Sequence, residues 1–269
     1  MCGFLGYIVE KNSHKSGLDQ KFDFYQKKMN HRGPDFQTKI KFEENDTIAC
    51  FGFNRLSIQD LNTNANRIFR NDDYLLLFNG EIYNKLNLIQ KYLINQKFDT
   101  QSDTEVLFKL LTKFGTKIIK EIEGIFSIIF YDINSSNLYM IRDYTGTKPL
   151  YYFNDEKNLY FASEAWFLYS LSKKKLNFEC LNFYFRYGFS PNSKTLINNV
   201  LKVKPNTILK FNIKKNQILD YKIIDFSKEN NFLKKNNSSL RKDLSKSIEK
   251  NLIGDRKIGV FLSGGIDST

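Results

Sequence analysis

Short runs of aromatic and β-branched residues, grouped apart from the helical stretches, constrain the fold of this chain most strongly. Each run has the length and composition of a strand, and they fall at residues 3–9, 47–53, 74–78, 125–131, 138–141, 150–153 and 159–162. Helices are predicted over 18–30, 85–95 and 103–114, with Asn84 and Ser102 placed to cap the last two. Because strands and helices do not alternate regularly, the pattern indicates an α+β layered domain.

The carboxy-terminal part has a different character. Ser, Asn, Pro and Lys dominate residues 191–236, which contain one short strand candidate at 207–211, and a helix at 240–252 then precedes a strand at 258–262. We therefore expect three parts, which are a first domain over 2–190, a connecting region over 191–236 and the beginning of a second domain over 237–269.

Composition excludes several classes of protein. The chain of 269 residues has no apolar stretch of membrane-spanning length and no secretory leader, so a soluble, non-exported protein is expected. Cys2, Cys50 and Cys180 are odd in number and widely spaced, which argues against disulfides and a zinc site and favours the reducing cytoplasm. The net charge of +12 comes mainly from dispersed lysines, so no nucleic-acid partner is expected.

An apolar strand runs directly into a glycine-rich turn at the carboxy-terminal end. The turn reads Ser263-Gly264-Gly265-Ile266-Asp267-Ser268, in which glycines let backbone N–H groups approach a phosphate. Its spacing differs from the Gly-x4-Gly-Lys-Ser/Thr loop, so γ-phosphoryl transfer of the kinase type is not implied. An ordinary surface turn is the alternative, and we favour a nucleotide site.

Cys2 is a candidate nucleophile because of its place in the chain. Removal of Met1 would leave it with a free α-amine, whose pKa of about 7.7–8.0 suits a general base near neutral pH. Its thiolate could then attack a carboxamide, and the amine could return the proton to departing ammonia. Taken alone, a cysteine followed by glycine is weak evidence, because buried or incidental cysteines are common.

An amide-cleaving site also needs an oxyanion hole and groups that hold the substrate. Asn79 and Gly80 follow a predicted strand and offer a side-chain amide and a backbone N–H, although Asn-Gly alone is a common turn. Arg55 and Asp103 are the candidate cation and anion for an amino-acid substrate.

Taken in order, these motifs resemble the glutamine-hydrolysing asparagine synthetase family. The matching segments are Cys2-Gly3, His31-Arg32-Gly33-Pro34-Asp35, Arg55-Leu56-Ser57-Ile58, Asn79-Gly80-Glu81-Ile82-Tyr83-Asn84, Ser102-Asp103-Thr104-Glu105, Arg142-Asp143 through Lys148-Pro149-Leu150-Tyr151, and Phe161-Ala162-Ser163-Glu164. The resemblance implies a class II glutamine amidotransferase domain with the N-terminal-nucleophile hydrolase fold, a four-layer αββα sandwich. It further implies that the first strand of a truncated α/β ATP-pyrophosphatase domain follows.

The resemblance also implies roles for individual residues. Cys2 would be the nucleophile, with Asn79 and Gly80 stabilising the oxyanion. The glutamine pocket would comprise Arg55, Leu56, Ser57, Ile58, Gln59, Asn79, Gly80, Glu81 and Asp103. ATP, the co-substrate, would bind Leu262, Ser263, Gly264, Gly265, Asp267 and Ser268. The complete enzyme would use Mg²⁺, but no metal ligands are assigned here. The implied substrates are glutamine, ATP and aspartate, and a homodimer is left open.

Several positions depart from the family pattern. They are Thr38, Phe53, the segment 64–68, the segment 165–167 and Asn206. The nitrogen acceptor therefore need not be aspartate, and the remaining ATP contacts would lie beyond Thr269, so synthetase activity of this chain alone is not expected. A related amidotransferase acting on another carboxylate such as a surface-sugar acid, a stand-alone glutaminase and a non-enzymatic truncated product remain alternatives. His31 is expected to be structural, without an acid-base role.

Overall fold

Two antiparallel sheets of six strands each form the centre of the protein in a computed structural model. The structure describes residues 2–44, 46–155, 158–172, 175–215, 217–223 and 237–266. Within these ranges the strands are β1 (Gly3–Glu10), β2 (Phe36–Glu44), β3 (Thr47–Arg55), β4 (Phe69–Arg70), β5 (Tyr74–Ile82), β6 (Gly124–Asp132), β7 (Asn137–Arg142), β8 (Tyr151–Asp155), β9 (Asn158–Ala162), β10 (Leu201–Lys202), β11 (Thr207–Asn212) and β12 (Gln217–Lys222). The α-helices are α1 (Leu18–Lys28), α2 (Lys85–Tyr92), α3 (Asp103–Phe114), α4 (Ala165–Leu171), α5 (Phe178–Tyr187) and α6 (Asn237–Asn251).

The strand order places β1 inside a sheet. The first sheet runs β10-β8-β9-β1-β3-β2 and the second runs β12-β11-β7-β6-β5-β4. Gly3 of β1 pairs with Asn54 of β3, and Leu5 pairs with Ala162 of β9. The residue before β1 therefore lies beside the carboxyl end of β3.

Alternation along β1 shows how the layers pack. Phe4 and Ile8 point to the interface between the sheets, where they join a buried cluster that includes Leu77 and Met140 of the second sheet. Leu5, Tyr7 and Val9 point the other way. A strand buried on both faces reads as a continuous apolar run, which is why β1 is predictable from its sequence.

Helices cover the outer face of each sheet. The outer face of the first sheet packs against α1 and α4 through Phe22 and Phe167. On the second sheet, α3 buries Leu107 and Leu110 against the outward side chains of β5 and β6. The result is the predicted four-layer αββα sandwich.

Most predicted elements are confirmed, with small differences at their ends. Two local predictions are wrong. Asn84 does not cap α2, since its side chain bonds to Glu121 O and Glu123 N at 2.8 and 3.0 Å, whereas Ser102 Oγ does accept the Glu105 N–H at the start of α3. Residues 258–262 form no strand, because an apolar run needs a neighbouring strand to satisfy its backbone and none pairs with it within the described chain.

The region predicted to connect two domains contributes three strands to the sheets. They are β10, β11 and β12, of which only β11 was expected. The domain boundaries themselves stay a prediction. Among the described residues, no helix has the length and apolar character needed to cross a membrane.

Candidate functional site

The Cys2 side chain lies against the loop that follows β3. Leu56 N donates to Cys2 Sγ at 3.4 Å, and the thiol contacts Leu56 O at 3.6 Å. This position follows from the register, since Gly3 is paired with Asn54 at the end of β3. The β1–β3 pairing therefore fixes the nucleophile candidate against one specific backbone segment.

The environment of Cys2 favours the neutral thiol. Burial raises its pKa, and the nearby carboxylates of Glu81 and Asp103 add to that effect, while the hydrogen bond with Leu56 opposes it. A thiol with a raised pKa is a weak nucleophile near neutral pH until a base removes its proton.

Asn79 and Gly80 lie within β5, which extends four residues beyond the predicted strand. Asn79 is 1 % exposed, and neither Nδ2 nor Oδ1 has a hydrogen-bond partner among the residues that the structure describes. A buried amide without partners costs roughly 1–3 kcal/mol, so a hydrogen-bonding group placed here, such as a ligand or an ordered water, would be stabilised.

Gly80 is required by the close approach of β6. A Cβ atom at this position would lie 2.3 Å from Ile125 O and 2.8 Å from Phe126 Cα, which no side chain could relieve without moving the backbone. Glycine thus keeps Asn79 and Glu81 in an unbroken strand beside β6.

Arg55 is buried and bonded to its own loop. Its guanidinium donates to Ser57 Oγ, Asn66 Oδ1, Gln59 O and Asp60 O at 2.6 to 3.0 Å. Arg55, the cation predicted to hold a substrate, therefore already uses most of its hydrogen-bond donors within the protein. All four acceptors are neutral, so its positive charge is not compensated by them and still favours an anion nearby.

Gln59 joins this loop to two carboxylates. Its Nε2 donates to Glu81 Oε2 at 2.6 Å and to Asp103 Oδ2 at 3.4 Å, and Asp103 Oδ2 also accepts the Ile82 N–H at 3.1 Å. Burial raises the pKa of Glu81 to about 7 and that of Asp103 to about 6, with the charge of Asp103 adding to the shift on Glu81. The charges of Lys85 and Lys148 oppose these shifts without cancelling them, so the two acids together favour a further cation nearby, such as an ammonium group.

Replacing Glu81 by glutamine should make the protein more stable at high pH. A carboxyl whose pKa is raised in the folded state makes a contribution to stability that is fully present below the unfolded pKa, and that contribution is lost as pH rises from about 4.5 through about 7. We expect the Tm of Glu81→Gln to exceed that of the wild type by about 3 °C at pH 8, with no difference at pH 4. Thermal unfolding at both values measures this, and Glu249→Gln, an exposed carboxylate on α6, is the control.

Residues behind Cys2 form a supporting network that the sequence reasoning did not assign to the site. Arg32 Nε donates to Cys2 O at 3.2 Å, and Arg32 Nη1 and His31 Nε2 contact Glu164 Oε1 at 3.4 and 2.8 Å. His31 is thus held by a carboxylate away from the thiol. Lys148 is buried, and burial lowers its pKa, whereas the charges of Glu81 and Cys2 act to raise it. Arg32 and Lys148 lie in the motifs His31–Asp35 and Lys148–Tyr151, which were the sequence signals that could have assigned them to the site.

The predicted nucleotide turn is described only in part. Leu262, Ser263, Gly264 and Gly265 are exposed, and Gly264 adopts a left-handed φ of 73° that suits a tight turn. Asp267 and Ser268 lie outside the described residues. Within the described ranges, no group of three His, Cys, Asp or Glu side chains could hold a metal ion.

Comparison with known families and proteins adds independent information. Residues 1–222 match a family model described as a glutamine amidotransferase domain, and residues 239–269 match one described as asparagine synthase. The chain is 29% identical to "Putative asparagine synthetase [glutamine-hydrolyzing] 2" of Methanocaldococcus jannaschii and 32% identical to "Asparagine synthetase [glutamine-hydrolyzing] 1" of Bacillus subtilis. Each alignment covers all of this chain but only 56% and 43% of those proteins, so the chain spans about half of their length.

Solved structures support the same fold. Glutamine phosphoribosylpyrophosphate amidotransferase from B. subtilis superposes with a TM-score of 0.54 at 17% identity, covering 83% of this chain and 49% of that one. A structure described as the allosteric regulatory enzyme of purine biosynthesis gives a TM-score of 0.56 at 16% identity, with the same coverage.

Proposed function

Because this chain belongs to the glutamine amidotransferase family represented in glutamine-hydrolysing asparagine synthetases, we propose that it hydrolyses glutamine to glutamate and ammonia at Cys2. The observation that carries the proposal is the Asn79 side chain, a buried amide with no partner in the described chain. Leu56 and Gln59 tie Cys2 and the acidic pair to one short loop, and Glu81 follows Asn79 and Gly80 directly.

Glutamine offers complementary charges to this site. Its α-ammonium group would lie against Glu81 and Asp103, where it would restore the ionised forms that burial disfavours. Its carboxylate would take up the charge of Arg55, whose four acceptors are neutral. The backbone and side chains of Leu56, Ser57, Ile58 and Gln59 would line the remaining pocket.

The reaction would proceed through a thioester. With Met1 removed, the α-amine of Cys2 takes the thiol proton, and Sγ attacks the carboxamide carbon, so that a C–S bond forms and the carbonyl electrons move onto oxygen. The Asn79 Nδ2–H and Gly80 N–H groups stabilise this oxyanion. The protonated amine gives its proton to the leaving nitrogen, and the C–N bond breaks to release ammonia. Water then attacks the thioester, which yields glutamate and regenerates the thiol.

We propose that the ammonia serves an asparagine synthetase reaction. In it, ATP activates the acceptor carboxylate as an acyl-AMP with release of pyrophosphate, and aspartate is the acceptor. The asparagine synthase match over 239–269 and the names of the relatives support this proposal. Exposed apolar residues of α6, namely Leu240, Leu244 and Ile248, and the unpaired segment 258–262 are consistent with the beginning of a second domain.

Ser263, Gly264 and Gly265 fit one part of a phosphate site. The left-handed Gly264 and the exposed turn leave room for an anion next to the backbone. When bound, ATP would supply the adenylyl group that activates the acceptor. Mg²⁺ would neutralise its phosphates, and Asp267 remains the predicted contact near them. The three free cysteines, and the absence of a membrane-spanning helix from the described residues, support the proposed cytoplasmic location.

Covalent labelling tests the glutaminase proposal directly. In a glutamine analogue whose amide NH₂ is replaced by a chloromethyl group, the Cys2 thiolate displaces chloride and forms a stable thioether. We expect the chain, freed of Met1, to release glutamate from glutamine and to be modified once, at Cys2. Excess glutamine should slow the modification, as followed by peptide mass spectrometry. Modification at Cys50 or Cys180, or labelling that glutamine does not slow, would contradict the proposal.

A further inference from the structure

The short segment after α6 is hydrogen-bonded to the loop of the glutamine site. Asp255 N donates to Ile58 O at 2.8 Å, and Asp60 N donates to Asp255 Oδ2 at 2.7 Å. Arg256 Nε donates to Ser57 O at 3.0 Å. Residues 254–256, the latch segment, therefore bind residues 57–60, the pocket loop, through three bonds that join distant parts of the chain.

The pocket loop also contacts the residues of the proposed glutamine site. Arg55 donates to Gln59 O and Asp60 O, and the Gln59 side chain bonds to Glu81. Leu56, which precedes the loop, contacts the Cys2 thiol. Any shift of the loop would thus move the guanidinium and the amide that organise both ends of the proposed glutamine pocket.

Asp60 is the position at which this loop most needs support. Its φ of 58° lies in the left-handed region, which is uncommon for a residue other than glycine, although Asp adopts it more readily than most, so hydrogen bonds around it help to hold this conformation. Its side chain accepts the N–H groups of Asn62 and Gln101 at 3.0 and 2.7 Å, and its own N–H is taken by Asp255. Asp255 therefore completes the set of bonds that holds this backbone conformation.

We infer that Asp255, assisted by Arg256, is a positioning residue of the glutamine site, which it supports through Asp60 and the pocket loop. This inference rests on the proposed function, and Asp255 itself does not touch the reacting atoms. Both side chains are exposed, so their replacement should disturb the loop without unfolding the protein. The latch segment precedes the predicted nucleotide turn at 263–265, with six residues between them in the chain.

The test compares Asp255→Ala with Asp255→Asn in the full chain. Alanine removes the acceptor of the Asp60 N–H, whereas asparagine retains an oxygen at the same place. We expect Asp255→Ala to raise the KM for glutamine by about three- to tenfold with kcat within about twofold, and Asp255→Asn to restore most of the wild-type KM. Hydrogen exchange of the peptide containing Asp60 should be faster in Asp255→Ala.

Glu249→Ala is the matched control, since it also removes one exposed carboxylate near the end of α6 and leaves the pocket loop untouched. A KM for Asp255→Ala equal to that of Glu249→Ala, or no rescue by asparagine, would overturn the inference while glutamine hydrolysis itself persisted. If the wild-type chain shows no glutamine hydrolysis that depends on Cys2, both the proposed function and this inference are overturned. Unchanged exchange at Asp60 would show that Asp255 does not hold the loop.

Discussion

Cys2→Ala is expected to lower glutamate release from glutamine by at least about 10³-fold, since the thiol has no substitute in the site. The loss should appear in kcat, because Arg55, Glu81 and Asp103, which we propose hold the amino-acid part of glutamine, are unchanged. Glutamine should therefore still bind to the variant. Glutamate release under saturating glutamine, together with a direct binding measurement, separates these two effects.

Cys180→Ala provides the matched control for this experiment. Cys180 is fully buried in α5, away from the loop that contacts Cys2, so its truncation also removes a thiol. It should lower stability by about 1 kcal/mol and leave glutamate release within about twofold of the wild type. If Cys2→Ala kept its activity, or if both variants lost it equally, Cys2 would not be the nucleophile.

Asn79→Ala is expected to reduce kcat by about 10²–10³-fold, the usual effect of removing one oxyanion donor. The expected effect on thermal stability is unusual for a substitution in the core. Because both polar atoms of Asn79 lack partners in the described chain, the substitution removes a desolvation cost, and the Tm should stay equal or rise. Steady-state kinetics and thermal unfolding on the same preparation measure the two effects.

Asn54→Ala is the appropriate comparison. Asn54 is equally buried, on β3, and its Oδ1 also lacks a partner among the described residues, but its Nδ2 donates to Gln26 O at 3.1 Å, so truncation should lower the Tm. A lower Tm in Asn79→Ala with little change in kcat would assign Asn79 to packing and contradict its proposed role.

The sequence predicted the inner strands well and the edges poorly. β1 and β6 are apolar on both faces, so local composition identifies them. β2 alternates half-buried residues such as Ile40 and Phe42 with exposed Lys39 and Lys41, a typical edge pattern that was not recognised as a strand. Residues 258–262 show the reverse case, since their strand-like composition needs a partner that local sequence does not provide.

The candidate site was predictable as a set of residues but not as an arrangement. Chain position and residue chemistry identified Cys2, Asn79 and Asp103 as candidates, and the family resemblance added Glu81. It could not reveal that Arg55 is bonded to the carbonyl groups of Gln59 and Asp60, because backbone acceptors leave no mark on residue type. For the same reason, the bonds between Asp255 and the pocket loop depend on tertiary contacts alone.

The position of β1 between β3 and β9 has a consequence for the order in which the protein forms during synthesis. Both neighbours follow β1 in the chain, so one edge of β1 stays unpaired until β3 has left the ribosome and the other until β9 has done so. Ribosomes add about 5–20 residues per second, so β1 spends several seconds exposed to processing enzymes and chaperones. We therefore expect the proposed removal of Met1 to take place before the sheet closes around Cys2.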